Sequence, residues 1–433
     1  MTLRLALVLG VGTLVLLSSW PVPAAPTNVV RHLLSGGLRL LVRDDPNAEV
    51  VAVSLQVRSG SRYEVPETAG LSHFVQRVML RGTSKRSAPR IVEAAEDIGG
   101  SVDASGDVEY AEIRGTALAA HGNALLELVA EVALSPTFPS DEVERERRLI
   151  LSQIKTRADT SFSLALDTLN AQLYGAHPLA LPTSGLKASV ERFDRDDLLR
   201  HYRRVYRAGS MVLAVSGRAE PESVRRQVQR LFAPVAAGEV DEPAPGEPVP
   251  SPERRVLDRP VQQAQILIGF LGPGIAETDY APGKIMSAIL GGGVAGRLFA
   301  RLREDQGLAY SLGMVNPSRR GLGSFVAYMA TSGESLERAE AALRHEIERF
   351  RADGPSETEL SRAKAYVLGN LAMDRRTNAR HAWYLAFFEL SDLGWEFPGR
   401  YARALDAVTV SDVTRVARRY LERPATVVLR PRS

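Results

Sequence analysis

One helix-then-strand unit occurs twice in this chain at a constant spacing. Asp196-Asp197-Leu198-Leu199-Arg200-His201-Tyr202-Arg203-Arg204-Val205-Tyr206 precedes the apolar run Met211 to Val215, and Ser411-Asp412-Val413-Thr414-Arg415-Val416-Ala417-Arg418-Arg419-Tyr420-Leu421 precedes Thr426 to Leu429. Asp197 and Asp412 are as far apart as Val212 and Val427, so one offset serves both the helix and the strand. A second pair, Pro139 to Arg145 against Pro355 to Arg362, aligns after a one-residue gap. Two matches in register favour duplication over the chance likeness of amphipathic helices followed by strands. A duplicated chain folds as two related lobes, and 433 residues are in any case too many for a single core.

Between Phe232 and Arg254 the periodicity gives way to a stretch rich in Pro, Gly and acids, which reads as a linker. Because Pro dominates it, an extended, semi-rigid spacer is expected, with two lobes of similar size sitting apart and facing each other. Leu38 to Val42, Val50 to Val57 and Val108 to Gly115 read as strands. Gly70 to Leu80, Arg90 to Ile98, Ala119 to Ala133 and Ser140 to Thr156 read as helices, the second stopped by Gly99-Gly100 and the last opened by Pro139 with Ser140-Asp141 as its cap. This order predicts the α+β class, with a helix-covered sheet in each lobe. The expected divisions are a signal over 1–25, a first lobe over 26–233, the linker over 234–254 and a second lobe over 255–433.

Charge and cysteine content narrow the function. Fifty-four basic residues against 51 acidic ones leave a formal charge of +3 with no block of one sign, so nucleic acid is not an expected partner. Arg4, the apolar run Leu5 to Leu17 and the small residues around Pro23-Ala24-Ala25 read as an export signal, which places the protein outside the cytoplasm, in the periplasm, and off the membrane once the signal is cleaved. The run is short beside the ~20 residues of a membrane span, although an uncleaved anchor is the alternative. The absence of Cys excludes a disulfide, a lipid-modified N-terminal Cys and a Cys nucleophile. No serine stands in a G-x-S-x-G context.

The main chemical signal is Gly70-Leu71-Ser72-His73-Phe74-Val75-Gln76-Arg77-Val78-Met79-Leu80-Arg81-Gly82-Thr83. In the inverted zinc motif H-x-x-E-H, two His side chains one helical turn apart hold the metal and the Glu between them is the general base. Here those five places read His73, Phe74, Val75, Gln76 and Arg77. An amide cannot take the proton that a zinc-bound water gives up, and a guanidinium repels a divalent cation at every accessible pH. With its flanking Gly-Leu-Ser and Met-Leu-x-Gly-Thr, the stretch resembles the insulinase-like (M16, pitrilysin) metallopeptidase family. The resemblance implies a clamshell of two homologous lobes. It also implies a third zinc ligand, a Glu on a later helix that carries a supporting acid before it. In the matching helix, Glu144 to Lys155, Glu146 stands at the supporting acid and the ligand's place falls on Gln153. One remaining ligand is too few for zinc, so neither a metal nor a catalytic residue is expected in the first lobe. His73 then reads as a hydrogen-bonded packing residue, and a substitute site from His73 with Glu146 or Asp103 lacks supporting spacing. Asp103-Ala104 stands where active members of the family carry Asn-Ala on a substrate-pairing strand.

Further along, Gly291-Gly292-Gly293-Val294-Ala295-Gly296-Arg297-Leu298-Phe299-Ala300-Arg301-Leu302-Arg303-Glu304-Asp305-Gln306-Gly307-Leu308-Ala309-Tyr310-Ser311 resembles the C-terminal signature of the same family, and Arg303 and Tyr310 match its paired Arg and Tyr. The resemblance implies that this pair reaches across a chamber to bind peptide carbonyls and stabilise a tetrahedral intermediate. The glycines lack the Gly-Lys-Ser/Thr ending of a phosphate loop and read as a turn between helices or as an element of chamber motion. Tyr174 to Leu179, Gly185 and Asp196 to Leu199 extend the likeness, with His177 as a turn residue. The implied function is a non-catalytic, substrate-holding or regulatory subunit of a heterodimeric bacterial zinc peptidase. Zinc is then expected in a partner subunit with intact H-x-x-E-H, and a peptide is the substrate. A stand-alone peptide-binding or assembly protein and a divergent metallopeptidase with an unrecognised metal site are the alternatives.

Overall fold

The apolar run after each copy of the repeated helix becomes a buried inner strand. The computed structural model describes residues 28–241, 248 and 252–432, so the expected export signal and much of the expected linker lie outside the described residues. Strands β1 (Val29–Leu33), β2 (Arg39–Asp44), β3 (Val50–Arg58), β4 (Ser101–Gly106), β5 (Tyr110–Leu118) and β6 (Met211–Gly217) form one sheet in the order β1-β2-β6-β3-β5-β4. Strands β7 (Arg254–Arg259), β8 (Gln263–Gly272), β9 (Ser311–Val315), β10 (Gly323–Ser332) and β11 (Ala425–Pro431) form the other in the order β7-β11-β8-β10-β9. In each sheet the repeated strand runs parallel to one neighbour, β2 or β7, and antiparallel to the other, β3 or β8. The remaining pairs are antiparallel in both. Apart from β1, the sheets share one topology, and the duplication seen in the sequence is the duplication of an α+β unit.

Alternation along the strands sends apolar side chains to both faces. Val51, Val53, Leu55 and Val57 of β3 point into the core shared with the helices Leu71–Met79 and Gly122–Leu134. Ala52, with Leu41, Val212 and Ala214, faces the other way. That second face is covered by a helix of the other lobe, Asn378–Leu390, through Ala382, Leu385, Ala386 and Leu390. The favour is returned by Ser161–Tyr174 of the first lobe, whose Ala165, Leu169 and Leu173 pack on Leu267, Val427 and Leu429 of the second sheet. Each exchanged helix follows a long one that begins at the second repeated segment, Ser140–Asp159 or Glu357–Asp374, so the exchange is duplicated as well. Ion pairs and a backbone hydrogen bond cross the same boundary. Asp392 accepts from Arg58 (2.5 Å) and Arg39 (3.3 Å) of the first lobe, and buried Glu109 accepts from the Arg320 backbone N–H (2.9 Å).

Two local expectations are corrected. The linker does not hold the lobes apart from its first residue: the N–H groups of Ala208 and Gly209 donate to the carbonyls of Ala236 and Gly238 (3.0 and 2.9 Å), and Val240 is buried in the first core. The first lobe therefore runs past residue 233, and the exchanged helices bring the lobes into contact because separate lobes would leave an apolar sheet face in water. Nor does Ser140 cap its helix. Pro139 occupies the cap position without a side-chain hydrogen bond, and Asp141 and Glu142 in the first turn complement the helix dipole instead. Among the described residues no helix is long and apolar enough to cross a membrane.

The exchange makes a measurable demand on stability. Leu169→Ala and Leu385→Ala, which truncate one exchanged helix each, are expected to cost about 2–4 kcal/mol apiece in denaturant unfolding. Losses under about 1 kcal/mol at both positions would show that the exchanged helices do not hold the lobes together.

Candidate functional site

The helix Leu71–Met79 is fixed at its start by backbone and charge. Gly70 has φ +90°, and a Cβ there would lie 2.6 Å from the Gly185 Cα. Gly185, at φ +83°, would in turn drive a Cβ to 2.4 Å from the Ala69 carbonyl oxygen. Two glycines thus permit a backbone-to-backbone contact that no other residue allows. The buried Glu64 carboxylate accepts the N–H groups of Gly70 (2.8 Å) and Ser72 (2.7 Å), placing an anion at the helix N-terminus. Burial pushes its carboxyl above the usual range, while those two donors pull it back. Ser72 Oγ lies 3.1 Å from His201 Nε2, and the Gln76 amide donates to the Tyr206 hydroxyl (2.9 Å), which donates to Met79 Sδ (3.0 Å). His201 is fully enclosed; burial first, and then Arg204, lowers its imidazole to about 3. Sequence reasoning missed these supports. His201 shares the apolar face of its helix with Leu198 and Val205, a spacing that could have revealed it.

The structure brings His73, Gln76, Arg77, Glu146 and Gln153 onto two neighbouring helices. Arg77 and Arg81, one turn apart, converge on Glu146 from Ser140–Asp159: Arg77 Nε and Nη2 are each 2.8 Å from Oε2, and Arg81 Nη2 is 2.7 Å from Oε1. The Glu146 side chain is 0% exposed, so the two guanidiniums are what makes its burial tolerable. Gln153 lies against His73 and raises its imidazole pKa, but burial and then Arg77 lower it more, leaving a depressed value. His73 is half-buried, and its Nε2, like Gln76 Oε1, is enclosed without a hydrogen-bond partner. Asp103 pairs with Arg114 across β4 and β5 rather than with His73. At the end of β4, Gly106 passes close above the helix, where a Cβ would stand 3.5 Å from Gln76 Cγ. Among the described residues, no three His, Cys, Asp or Glu side chains gather in an arrangement that could hold a metal ion.

Arg303 and Tyr310 also come together, at a separate place. Arg303 sits on a π-helical turn, Phe299–Glu304, a rare geometry often found at functional sites. Its Nη1 donates to the Tyr310 carbonyl (2.8 Å), and its guanidinium lies 5.1 Å from the Phe299 ring centroid. The Tyr310 N–H is tied to the Ala330 carbonyl (3.0 Å), while its side chain is exposed. In the preceding glycine run, Gly291 presses on β9, where a Cβ would fall 2.1 Å from Met314 N, whereas Gly293 at φ +87° has nothing within 4 Å. Close packing and an open turn thus share one short run. His177 is buried, and its Nδ1 accepts the Leu179 N–H (3.1 Å) to cap the turn Pro178–Ala180, the turn role expected of it.

Two measurements check this geometry. Glu146→Gln, which leaves Arg77 and Arg81 facing an uncharged amide, is expected to destabilise the fold by about 2–4 kcal/mol; an unchanged unfolding midpoint would deny the carboxylate its role. An imidazole held neutral in the folded state cannot take the proton that the unfolded chain takes below about pH 6.5. The contribution of His201 is therefore present above pH 6.5 and lost as pH falls towards its folded value of about 3. His201→Gln should flatten the acid limb of the stability profile, and an identical acid limb would count against the assignment.

Comparison with known proteins agrees with the two-lobed geometry. A family model described as "Insulinase (Peptidase family M16)" matches residues 39–186, and one described as "Peptidase M16 inactive domain" matches residues 192–367. The chain is 28% identical over 355 residues to the uncharacterized zinc protease YmxG of Bacillus subtilis, covering 81% of this chain and 86% of that protein. It is 28% identical over 341 residues to an uncharacterized zinc protease of Rickettsia bellii, covering 78% and 82%. Its fold matches the crystal structure of a peptidase M16 inactive domain from Pseudomonas fluorescens with a TM-score of 0.88 at 22% identity, over 94% of this chain and 99% of that one. A protease from Helicobacter pylori matches with a TM-score of 0.86 at 20% identity, over 93% and 99%. With both lobes matched in sequence and the whole architecture matched in space, this chain belongs to the M16 (insulinase) peptidase family.

Proposed function

We propose that this chain is a non-catalytic, substrate-holding subunit of a two-chain M16 zinc peptidase. The observation that carries the reading is the ion cluster at Glu146. Arg77 stands at the second ligand place of the zinc motif and is paired to a buried carboxylate, so the position is committed to a cation of the protein's own. Gln76 and Gln153 lack the charge needed for proton abstraction and for anionic ligation, respectively. Relatives described as zinc proteases support a peptidase system. The altered places support assigning its zinc to another chain, a catalytic M16 subunit with intact H-x-x-E-H.

In that assembly the partner supplies a metal-activated water, and this chain supplies donors. The exposed Arg303 guanidinium and Tyr310 phenol suit a peptide carbonyl, and they bind it more strongly as negative charge develops on its oxygen. The substrate is a peptide, the compartment is the periplasm after signal cleavage, and neither nucleic acid nor membrane is a partner.

Purification of the tagged full-length chain from its native host tests the reading. The expected result is a co-purifying M16 chain with intact zinc motif, peptidase activity and zinc in the pair, and neither in the isolated chain. Arg303→Ala and Tyr310→Phe should each lower kcat/KM of the pair by about tenfold or more. Stoichiometric zinc or peptidase activity in the isolated chain would overturn the proposal. Recovery of the chain without any M16 partner would favour a stand-alone binding protein.

A further inference from the structure

Between the lobes lies a cavity of about 580 Å³ that the proposed function does not use. Its size falls within the ~300–1,000 Å³ of small-molecule sites. The wall is aromatic. Trp383 and Phe387 of the exchanged helix stack at 4.7 Å, Tyr110 of β5 meets them edge-on at 6.2 and 5.7 Å, and Tyr280 and Tyr401 pair at 5.2 Å.

The charges around this wall are matched except for one. Asp374 accepts from Arg380 (2.5 Å) and Tyr384 (2.6 Å). Glu109 is paired with Arg62 (2.9 Å), and Asp107 with Arg319 (3.4 Å). Lys284 lines the same cavity, donates to the Asn316 carbonyl and lies 5.2 Å from the Tyr280 ring centroid. Among the described residues no carboxylate forms an ion pair with it, so the amine is the uncompensated charge of the cavity. Burial, and then Arg319, pushes it down to about 8, which leaves it mostly cationic at neutral pH. A partly desolvated ammonium with one carbonyl partner retains attraction for an anion, and the aromatic wall retains area for an apolar body. A cationic guest, which aromatic walls otherwise suit, would meet carboxylates already held by arginines and an opposing ammonium.

We propose that this cavity binds a small carboxylate with an aromatic or branched apolar body, its carboxylate on Lys284 and its body against Tyr110 and Trp383. A free organic acid and the C-terminal residue of a peptide present the same chemistry. The proposal is independent of the peptidase reading, because neither the ion cluster at Glu146 nor the Arg303–Tyr310 pair takes part in it.

Calorimetric titration of the full-length protein, with Trp fluorescence as a second readout, tests it using phenylbutyrate, phenylbutyramide, the tripeptide Gly-Gly-Phe, its C-terminal amide and phenyltrimethylammonium. The expected result is one saturable site per chain that takes an acid about tenfold or more tighter than its amide. Stronger binding of Gly-Gly-Phe than of phenylbutyrate identifies a peptide terminus as the source, and the reverse identifies a free acid. Lys284→Met should remove the acid preference without lowering the unfolding temperature, and Trp383→Phe should remove the fluorescence response while the calorimetric acid preference remains. Equal affinity for acid and amide, tighter binding of phenyltrimethylammonium, an acid preference that survives in Lys284→Met, or no saturation up to about 1 mM would overturn it.

Discussion

Each sheet of this protein has two apolar faces and helices of its own for only one of them. The second face is closed by a helix borrowed from the other lobe, Asn378–Leu390 on the first sheet and Ser161–Tyr174 on the second. Ala382 and Ala386 keep the sheet-facing side of the first of these small, so the helix can approach the sheet closely. Its other side carries Trp383, Tyr384, Phe387 and Phe388, which build the aromatic cluster between the lobes. One helix thus covers a sheet and furnishes a cavity wall. The ion pairs of Asp392 and the hydrogen bond from the Arg320 backbone to Glu109 sit around this apolar contact and add specificity to it more than stability.

Around Glu146 the electrostatics are self-consistent. Glu146 is the single carboxylate among the five places, it has no access to water, and two guanidiniums form ion pairs with it, Arg77 alone with a hydrogen bond. The positive charge that a dication would bring to such a cluster is supplied by side chains. Gln76 keeps its helix docked through Tyr206, and Gln153 lies against His73, so both amides are engaged with neighbouring side chains.

Much of this was legible in the sequence, for identifiable reasons. The duplication could be read because amphipathic helices and buried strands have periods that survive divergence. The grouping of His73, Gln76 and Arg77 with Glu146 and Gln153 could be read because spacing along a helix translates directly into a shared face. Arg81 was missed because it lies one turn beyond the motif, and Glu64 because a helix start can be capped by a residue from outside the helix. The linker was misjudged because Pro and Gly report an absence of period, which does not distinguish a free spacer from a segment docked by Val240. Helix exchange leaves only a faint trace. Nothing local tells a helix which of two similar sheets it will cover, and the apolar character of Asn378–Leu390 on both sides is the nearest thing to a signal. The cavity draws on β5, the loop around Ser318 and several helices of the second lobe, and no linear reading assembles those.

Reciprocal helix exchange also says something about how such a chain can arise. Two identical copies of a one-lobed ancestor, each lending its helix to the other, would form a symmetric swapped dimer, and joining them end to end would give the architecture seen here. The Pro-rich segment is then a fusion joint, and the association was already present in the swap. Neither half is a self-sufficient domain: expressed alone, it would present a bare apolar sheet and a stray apolar helix, and its most available partner would be another copy of itself.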